Sequence, residues 1–484
     1  MITDKKSPYR GTSLGLYFTT IKKLDIQQNA SIESWLDTQN ATINQVDINS
    51  QNVAGFHFKG GTKIRTIDLK QGGRMRSVLM RGNASIETLN IEGTLAGWGG
   101  SNFGGINIRD RNGKINTITV KQGGKIEQGI RNNNGTIQTL TINNGTINGG
   151  ITNNRTITNI SVSNGTINGN ITNNGTNAST GTISITGTSS VSGSIVNQNG
   201  ANFNSQITLE KDSKLGGISN TQGSTMGGTL TLNGEVGTIS NAGTFNSTLT
   251  LNNKVGTIEN KQGGTISNDI TINNGGSVGA INNEGTMQNI TIQQQGKVEN
   301  ITNSGTMKVI TTKDGSLNNT GTIENLKITS GDFALNNTEQ GKIADIEIGG
   351  NGKININDNM NIGYNNGIST FRIASGAAPT LNFGVVRTAI TAQETYPTVK
   401  LVNTNNATST QAKVVIDKLS IDLVGEDTQI GKSVSLANSV SGAANNGVGN
   451  IYIKSADFSQ RLKESGFYGK FNLYTQTVDT RFNS

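Results

Sequence analysis

The chain of 484 residues contains 64 glycines, three prolines, one histidine and no cysteine, and its formal net charge is +8. Glycine is about 13% of the chain, roughly twice its usual share, whereas charged residues (15%) and hydrophobic residues (32%) are scarce for a globular enzyme. The missing cysteines exclude disulfide frameworks, iron–sulfur clusters and thiolate zinc sites, and the single histidine excludes a metal site with two histidine ligands.

The N-terminal segment, residues 1–28, lacks the repeats that follow and is predicted to cap the first of them. Repetitive β-structures need such ends because an exposed terminal rung invites pairing with other chains. The longest apolar stretch of this segment, residues 14–18, is too short and too mixed for a signal-peptide core or a membrane span.

A repeat runs through residues 29–360 and is clearest between residues 133 and 174. There Gly-Thr-Ile recurs at Gly135, Gly145 and Gly165, with Arg155 at the remaining position. Short units of two kinds alternate: one kind carries a longer apolar run, and the other is shorter and more polar. Two such units make a full period of about 20 residues, as in stacked repeat proteins. Glycines continue this period towards the C-terminus at Gly243, Gly264, Gly285, Gly305, Gly321 and Gly341.

The apolar spacing within each unit predicts strands. Ile137, Leu140 and Ile142 are typical, and isoleucine, valine and threonine favour strands. Asn-Gly and Asn-Asn pairs suit the turns between the strands, and no proline occurs between Pro8 and Pro379. A unit this short cannot bury its own apolar face, so units must stack, and stacking aligns asparagine amides that bond along the stack. We therefore predict an all-β, right-handed parallel β-helix (solenoid) with about 20-residue rungs.

Within the repeat, the segment from Lys59 to Arg131 holds thirteen basic and five acidic residues, and so carries the whole net charge of the chain. Stacking is expected to bring positions such as Lys63 and Lys114 onto one face. A basic stripe would attract acidic glycans, phosphate-bearing surfaces or anionic lipids; alternatively, the charge only keeps the protein soluble. The candidate binding residues are Lys63, Arg65, Lys70, Arg74, Arg76, Arg81, Trp98, Phe103, Arg109 and Arg111.

The same segment is interrupted by residues 95–105, in which Trp98 and Phe103 stand among glycines. This composition indicates a loop inserted on one side of the solenoid. Exposed aromatic residues beside arginine form common recognition surfaces, but Trp98 would equally suit the interior of a distorted rung. Both interpretations remain open from the sequence.

After Pro379 the repeat fades, and the segment 451–484 contains seven phenylalanines and tyrosines. Residues 361–484 are therefore predicted to form C-terminal rungs and a distinct, better-packed cap.

Taken together, the Asn/Gly/Thr-rich rungs, the lack of cysteine and the aromatic-rich end resemble bacterial autotransporter passengers. The segments NNGTI (133–137) and NSGTM (303–307) are similar to those of surface autotransporters of Campylobacter and Helicobacter-like epsilon-proteobacteria. The resemblance implies an adhesin that is displayed outside the cell after export through the outer membrane, with an autochaperone-like C-terminal cap. It also implies a passenger that does not itself span a membrane, the translocating barrel being a separate C-terminal domain.

The same resemblance implies a host-cell glycan or protein receptor, or self-association between solenoids, as the partner. No nucleic acid, metal or cofactor is expected. A toxin-like passenger remains an alternative.

The residues give little support to an enzymatic function. A serine protease would need His57 as its base and a GDSGS-like turn, which does not occur. A β-helical polysaccharide-degrading enzyme would need clustered carboxylates. Asp345 and Glu347 share one strand face. Glu324 and Asp345 would share a face as well if the rungs stack at an offset of 20–21 residues. The other acidic residues are scattered along the chain. We therefore expect no enzymatic activity.

Overall fold

The computed structural model describes residues 14–97, 104–338, 340–357, 370–391, 399–403, 412–424, 440–441 and 451–458. In these ranges the protein is all-β and contains no helix, so no helix there could cross a membrane. Parallel strands form a β-solenoid of about 16 turns with about 21 residues in each. The predicted all-β parallel solenoid is thus confirmed.

The chain forms two compact units, one of residues 1–259 with 263–268 and one of residues 260–262 with 269–484. The described strands from the first rung to residue 266 are β1 Leu14–Tyr17, β2 Thr20–Ile26, β3 Ser31–Ile32, β4 Leu36–Gln39, β5 Thr42–Ile48, β6 Asn52–Val53, β7 Phe56–Lys59, β8 Lys63–Leu69, β9 Arg74–Met75, β10 Val78–Met80, β11 Ser85–Ile91, β12 Thr94–Leu95, β13 Ile106–Ile108, β14 Lys114–Val120, β15 Lys125–Ile126, β16 Ile130–Asn132, β17 Thr136–Asn143, β18 Thr146–Asn148, β19 Ile151–Asn153, β20 Thr156–Ser163, β21 Thr166–Asn168, β22 Ile171–Asn174, β23 Ser179–Thr186, β24 Ser190–Gln198, β25 Asn202–Asn204, β26 Ile207–Leu209, β27 Lys214–Asn220, β28 Thr225–Gly227, β29 Thr229–Leu232, β30 Glu235–Asn241, β31 Thr244–Phe245, β32 Thr248–Leu251, β33 Lys254–Asn260 and β34 Thr265–Ile266.

The described strands that follow are β35 Ile270–Ile272, β36 Ser277–Asn283, β37 Thr286–Ile292, β38 Lys297–Asn303, β39 Thr306–Thr312, β40 Gly315–Asn319, β41 Thr322–Ile328, β42 Phe333–Asn337, β43 Lys342–Ile348, β44 Lys353–Asn357, β45 Thr370–Ile373, β46 Thr380–Thr391, β47 Val399–Asn403, β48 Lys413–Val424, β49 Val440–Ser441, β50 Ile451–Ile453 and β51 Ala456–Phe458.

Each turn contributes strands to two parallel sheets, here called sheet I and sheet II. In the turn that starts at β8, the long strand β8 lies in sheet II and the short strands β9 and β10 lie in sheet I. Ile64, Ile67 and Leu69 of β8 are buried, while the residues between them face outward. The apolar spacing read from the sequence is therefore the spacing of side chains that fill the interior.

The two kinds of repeat unit correspond to the two sheets. Up to β22 the long strand lies in sheet II and the short pair in sheet I. After β23 and β24, which are both long, the arrangement is exchanged: β27 is a long strand of sheet I, while β25 and β26 form a short pair in sheet II. The chain accommodates this exchange without leaving the parallel stack.

The ends of the chain are partly described. The stack begins at β1 and β2, inside the segment expected as an N-terminal cap, because Leu14 pairs with Leu36 and Ile21 with Ile43. At the other end, β45 to β48 continue the parallel pairing beyond residue 361. Residues 1–13 and 459–484, on which the predicted caps largely depend, lie outside the described residues.

A ladder of buried asparagines runs inside the stack, at the end of the sheet I strands. In the first unit the amide of Asn132 donates to Asn153 (2.9 Å), Asn173 to Asn197 (2.9 Å), Asn197 to Asn220 (3.0 Å) and Asn220 to Asn241 (2.9 Å). In the second unit the series runs through Asn260, Asn283, Asn303, Asn319 and Asn337 at 2.6–2.9 Å. The predicted alignment of asparagine amides is confirmed, and it lies in the interior.

Candidate functional site

Part of the predicted basic set lies where the chain turns from sheet I into the following long strand of sheet II. Three side chains there occupy the same position in successive turns. The amide nitrogen of Arg81 donates to the carbonyl of Phe58 (2.7 Å), and that of Arg109 donates to Met80 (3.0 Å). In a parallel ladder this pattern places Lys59, Arg81 and Arg109 side by side, about 4.8 Å apart from turn to turn.

On the sheet II side of the same turns, Lys63 pairs with Ser85, which in turn pairs with Lys114. Arg111 lies in the turn between Arg109 and Lys114, and Arg131 lies one turn further on, opposite Asn107. We call this group the basic corner; it consists of Lys59, Lys63, Arg81, Arg109, Arg111, Lys114 and Arg131.

Only part of this charge is compensated. Asp37 Oδ1 lies 2.9 Å from His57 Nδ1 and 3.5 Å from Lys59 Nζ. Burial works to raise the pKa of Asp37, but the contact with His57 and the charge of Lys59 outweigh it, so that the pKa lies below its usual value. Among the described residues, Lys63, Arg81, Arg111 and Lys114 are exposed and have no carboxylate within ion-pair distance.

The remaining predicted residues do not join the basic corner. Lys70 and Arg74 lie on the opposite side of the turn and have acidic neighbours: Lys70 Nζ is 3.0 Å from Asp68, and Arg74 is 3.7 Å from Glu127. Arg65 faces outward from sheet II, 4.0 Å from Glu87. Arg76 is exposed two residues after Arg74. Trp98 and Phe103 lie outside the described residues.

The structure therefore brings together Lys63, Arg81, Arg109 and Arg111 of the candidate binding residues, and it places Lys63 and Lys114 in one column, as predicted. Lys59 and Arg131 also belong to the group. The other members could not be aligned from a fixed period because the turns differ in length. Ile64 pairs with Ile86, and Ile86 pairs with Ile115, so the second of these turns is clearly longer than the first. A fixed period misaligns every basic residue beyond this longer turn.

The column of Lys59, Arg81 and Arg109, here called the basic column, continues as a line of amides. Asn133 follows Arg109 at the same position, since its amide nitrogen donates to the carbonyl of Ile108 (2.9 Å). From there Asn154 donates to Asn133 (3.1 Å), Asn174 to Asn154 (2.8 Å), and Gln198 to Asn174 (3.1 Å). These side chains are partly exposed. We call this line the amide track; it consists of Asn133, Asn154, Asn174 and Gln198.

The single histidine is packed rather than presented to solvent. Its ring centre lies 5.8 Å from that of Trp35, and its Nδ1 faces Asp37. Its Nε2 is buried and has no hydrogen-bond partner among the described residues. The contacts made by His57 are thus those of a structural residue in the wall of sheet I.

The carboxylates considered for an enzyme lie on the outward face of sheet II. The register of β41 and β43 has the expected offset of 20 residues and places Asn325 directly opposite Asp345, so that Glu324 is a diagonal neighbour of Asp345. Asp345 contacts Arg372 (2.7 Å) and Glu347 contacts Lys327 (3.2 Å). In the described ranges no three acidic or histidine side chains converge as metal ligands.

Comparison with known proteins adds no relative: no family model, curated protein or solved structure matches the chain.

Proposed function

We propose that the chain is the passenger of a bacterial autotransporter, exported through the outer membrane and displayed on the cell surface as an adhesin. It attaches the bacterium to host cells or to other bacteria. The parallel solenoid with its short, repeated turns is consistent with passengers of this kind. Attachment depends on a rigid surface that presents many weak contacts at once, and multivalent display multiplies their effect.

The observation that carries the proposal is the basic corner. Its positive side chains stand on consecutive turns, and several of them have no acidic partner among the described residues. Such a surface draws in a negatively charged partner and holds it by contacts that salt weakens. A host-cell glycan or an acidic receptor protein supplies the matching charge.

The test is the binding of purified protein to cultured epithelial cells across a series of salt concentrations. The variant R81Q/R111Q/K114Q removes three exposed charges of the basic corner. Its matched control, K211Q/K261Q/K308Q, removes three exposed charges elsewhere. At about 0.5 kcal/mol for each exposed charge contact, the first variant should bind about tenfold more weakly. It should also lose most of the salt dependence, while the control binds as the parent does.

Equal losses in the two variants, or parental binding that is indifferent to salt, would contradict the proposal. Thermal melting of each variant establishes that the fold is intact.

A further inference from the structure

The basic column and the amide track form one continuous line on seven successive turns of the first unit. In order, the positions are Lys59, Arg81, Arg109, Asn133, Asn154, Asn174 and Gln198. Because each turn advances by one strand spacing, the line extends over ~29 Å parallel to the stack. Cations thus occupy one end of the line and hydrogen-bonding amides the other.

The two ends offer different chemistry to a ligand. Arginine and lysine bind carboxylate and sulfate groups through charge-assisted hydrogen bonds. An amide side chain both donates and accepts, which matches the hydroxyl groups of sugars. In the track the amides of Asn154, Asn174 and Gln198 each donate to the preceding member, at 2.8–3.1 Å, so the groups are held in fixed orientations. Preorganised groups lose less entropy when they bind a ligand.

We propose that this line binds an unbranched acidic polysaccharide lying parallel to the stack, with anionic groups over Lys59, Arg81 and Arg109 and hydroxyls over the amide track. The inference rests on the proposed function and names the class of its ligand. None of the seven side chains is aromatic, whereas single-stranded nucleic acids are held largely by stacking on aromatic rings. An acidic polysaccharide carries both chemical groups that the line can recognise.

The experiment measures the affinity of labelled oligosaccharides of increasing length, prepared from heparin and from hyaluronan. Polyphosphate and single-stranded DNA of equal charge are the comparison probes. Affinity for the saccharides should rise with length until the oligosaccharide spans the line, and then level off. R81Q/R111Q/K114Q should weaken binding of every anionic probe.

A second variant separates the amide track from the charges. N154A/N174A removes two partly exposed amides, and its matched control N148A/N168A removes an outward pair, joined at 2.8 Å, at another position of the same turns. N154A/N174A should weaken saccharide binding about tenfold and leave polyphosphate binding unchanged. N148A/N168A should change neither. Circular dichroism melting monitors the fold of both variants.

Three results would overturn the inference: tighter binding of polyphosphate or DNA than of the saccharides, affinity independent of saccharide length, or equal effects of the two amide variants. Cell binding that depends on the basic corner without any saccharide binding would overturn it as well, and would leave the adhesin proposal standing. Saccharide binding with the predicted dependence, but without cell binding, would support the inference and contradict the adhesin proposal.

Discussion

Thr180 Oγ1 donates a hydrogen bond to Oδ1 of Asn173 across 2.9 Å inside the solenoid. The same oxygen accepts a hydrogen bond from the amide of Asn153, also at 2.9 Å. Thr180 stands where Ile157 stands one turn earlier. The other amide hydrogen of Asn153 is taken by the carbonyl of Ser179, so the threonine hydroxyl connects two stretches of the asparagine ladder.

Replacing Thr180 by valine should therefore destabilise the protein by about 1–3 kcal/mol, because two buried amides lose a partner while the volume is conserved. The measurement is urea-induced unfolding followed by circular dichroism. Thr182→Val, two residues later on the same strand, is the matched control because Thr182 is exposed. If both variants unfold at the same urea concentration, the bridging role of the hydroxyl is refuted.

The stability of the protein should also depend on pH, because of a column of aspartates in sheet II. Asp25, Asp47 and Asp68 pair with one another in successive turns. Burial works to raise the pKa values of Asp47 and Asp68. Hydrogen bonds to Asp47 from Lys23 and Gln45, and to Asp68 from Asn90 and Lys70, outweigh burial and hold both pKa values below the usual 3.8.

A carboxylate whose pKa is lowered by folding stabilises the protein above its unfolded pKa, and that contribution disappears as the pH falls through the folded pKa. The melting temperature should therefore decrease as the pH is lowered from about 4 towards 2. In Asp47→Asn/Asp68→Asn the decrease should be smaller. Asp212→Asn/Asp314→Asn, which changes two acids without described ion pairs, should retain the parental slope. A parental slope in the first variant would show that the column is not responsible.

The glycines that open the repeat units have a steric role where turns lie on one another. A Cβ at Gly305 would overlap the carbonyl oxygen of Gly285, and a Cβ at Gly321 would overlap that of Gly305. Backbone atoms cannot move aside cheaply, so Gly305→Ala should lower the free energy of unfolding by about 1–3 kcal/mol. At Gly60 the new Cβ would meet Asn83 at an ordinary 3.5 Å, and Gly60→Ala should stay within about 0.5 kcal/mol of the parent. Thermal melting of the two variants decides; a similar loss in both would argue against stacking as the cause.

Removing an acidic residue beside the basic corner should strengthen binding, whereas removing its basic residues should weaken binding. Asp37 lies 3.5 Å from Lys59 and partly neutralises it. Removing this charge in Asp37→Asn should tighten binding to an anionic surface about threefold, the effect of one exposed charge pair. Binding to cells is measured beside Asp212→Asn, an exposed acid distant in sequence. Weaker binding by Asp37→Asn would mean that the carboxylate takes part in recognition.

The fold was predictable because the signal repeats many times: Ile64, Ile86 and Ile137 belong to one interior column despite the unequal turns between them. The site was less predictable because it depends on register. The longer turn between Ile86 and Ile115 separates Arg81 from Arg109 in sequence while the structure places them side by side.

Adjacent asparagines also show that the sequence pattern does not tell which side chains are buried and which face outward. Asn132 belongs to the buried ladder, whereas Asn133 faces outward in the amide track. Both occur in the same run of asparagines, and alternation along the strand alone separates their environments. A shift by one residue would exchange them. Local sequence therefore identifies the strand, but the stacking of whole turns decides which amide is available to a ligand.

The repeated interior restricts the insertions and deletions that the fold can accept. Thr136 and Thr156, and likewise Ile137 and Ile157, occupy equivalent sites in successive turns. Recombination that deletes or duplicates one complete period joins a strand to a neighbour of the same kind and preserves the asparagine ladder. A deletion of another length that cuts into the strands puts amides into apolar positions and isoleucines into solvent, whereas the unequal turns show that the connecting segments accept other lengths. Inherited variation in the length of this protein should therefore come in whole turns or fall between the strands.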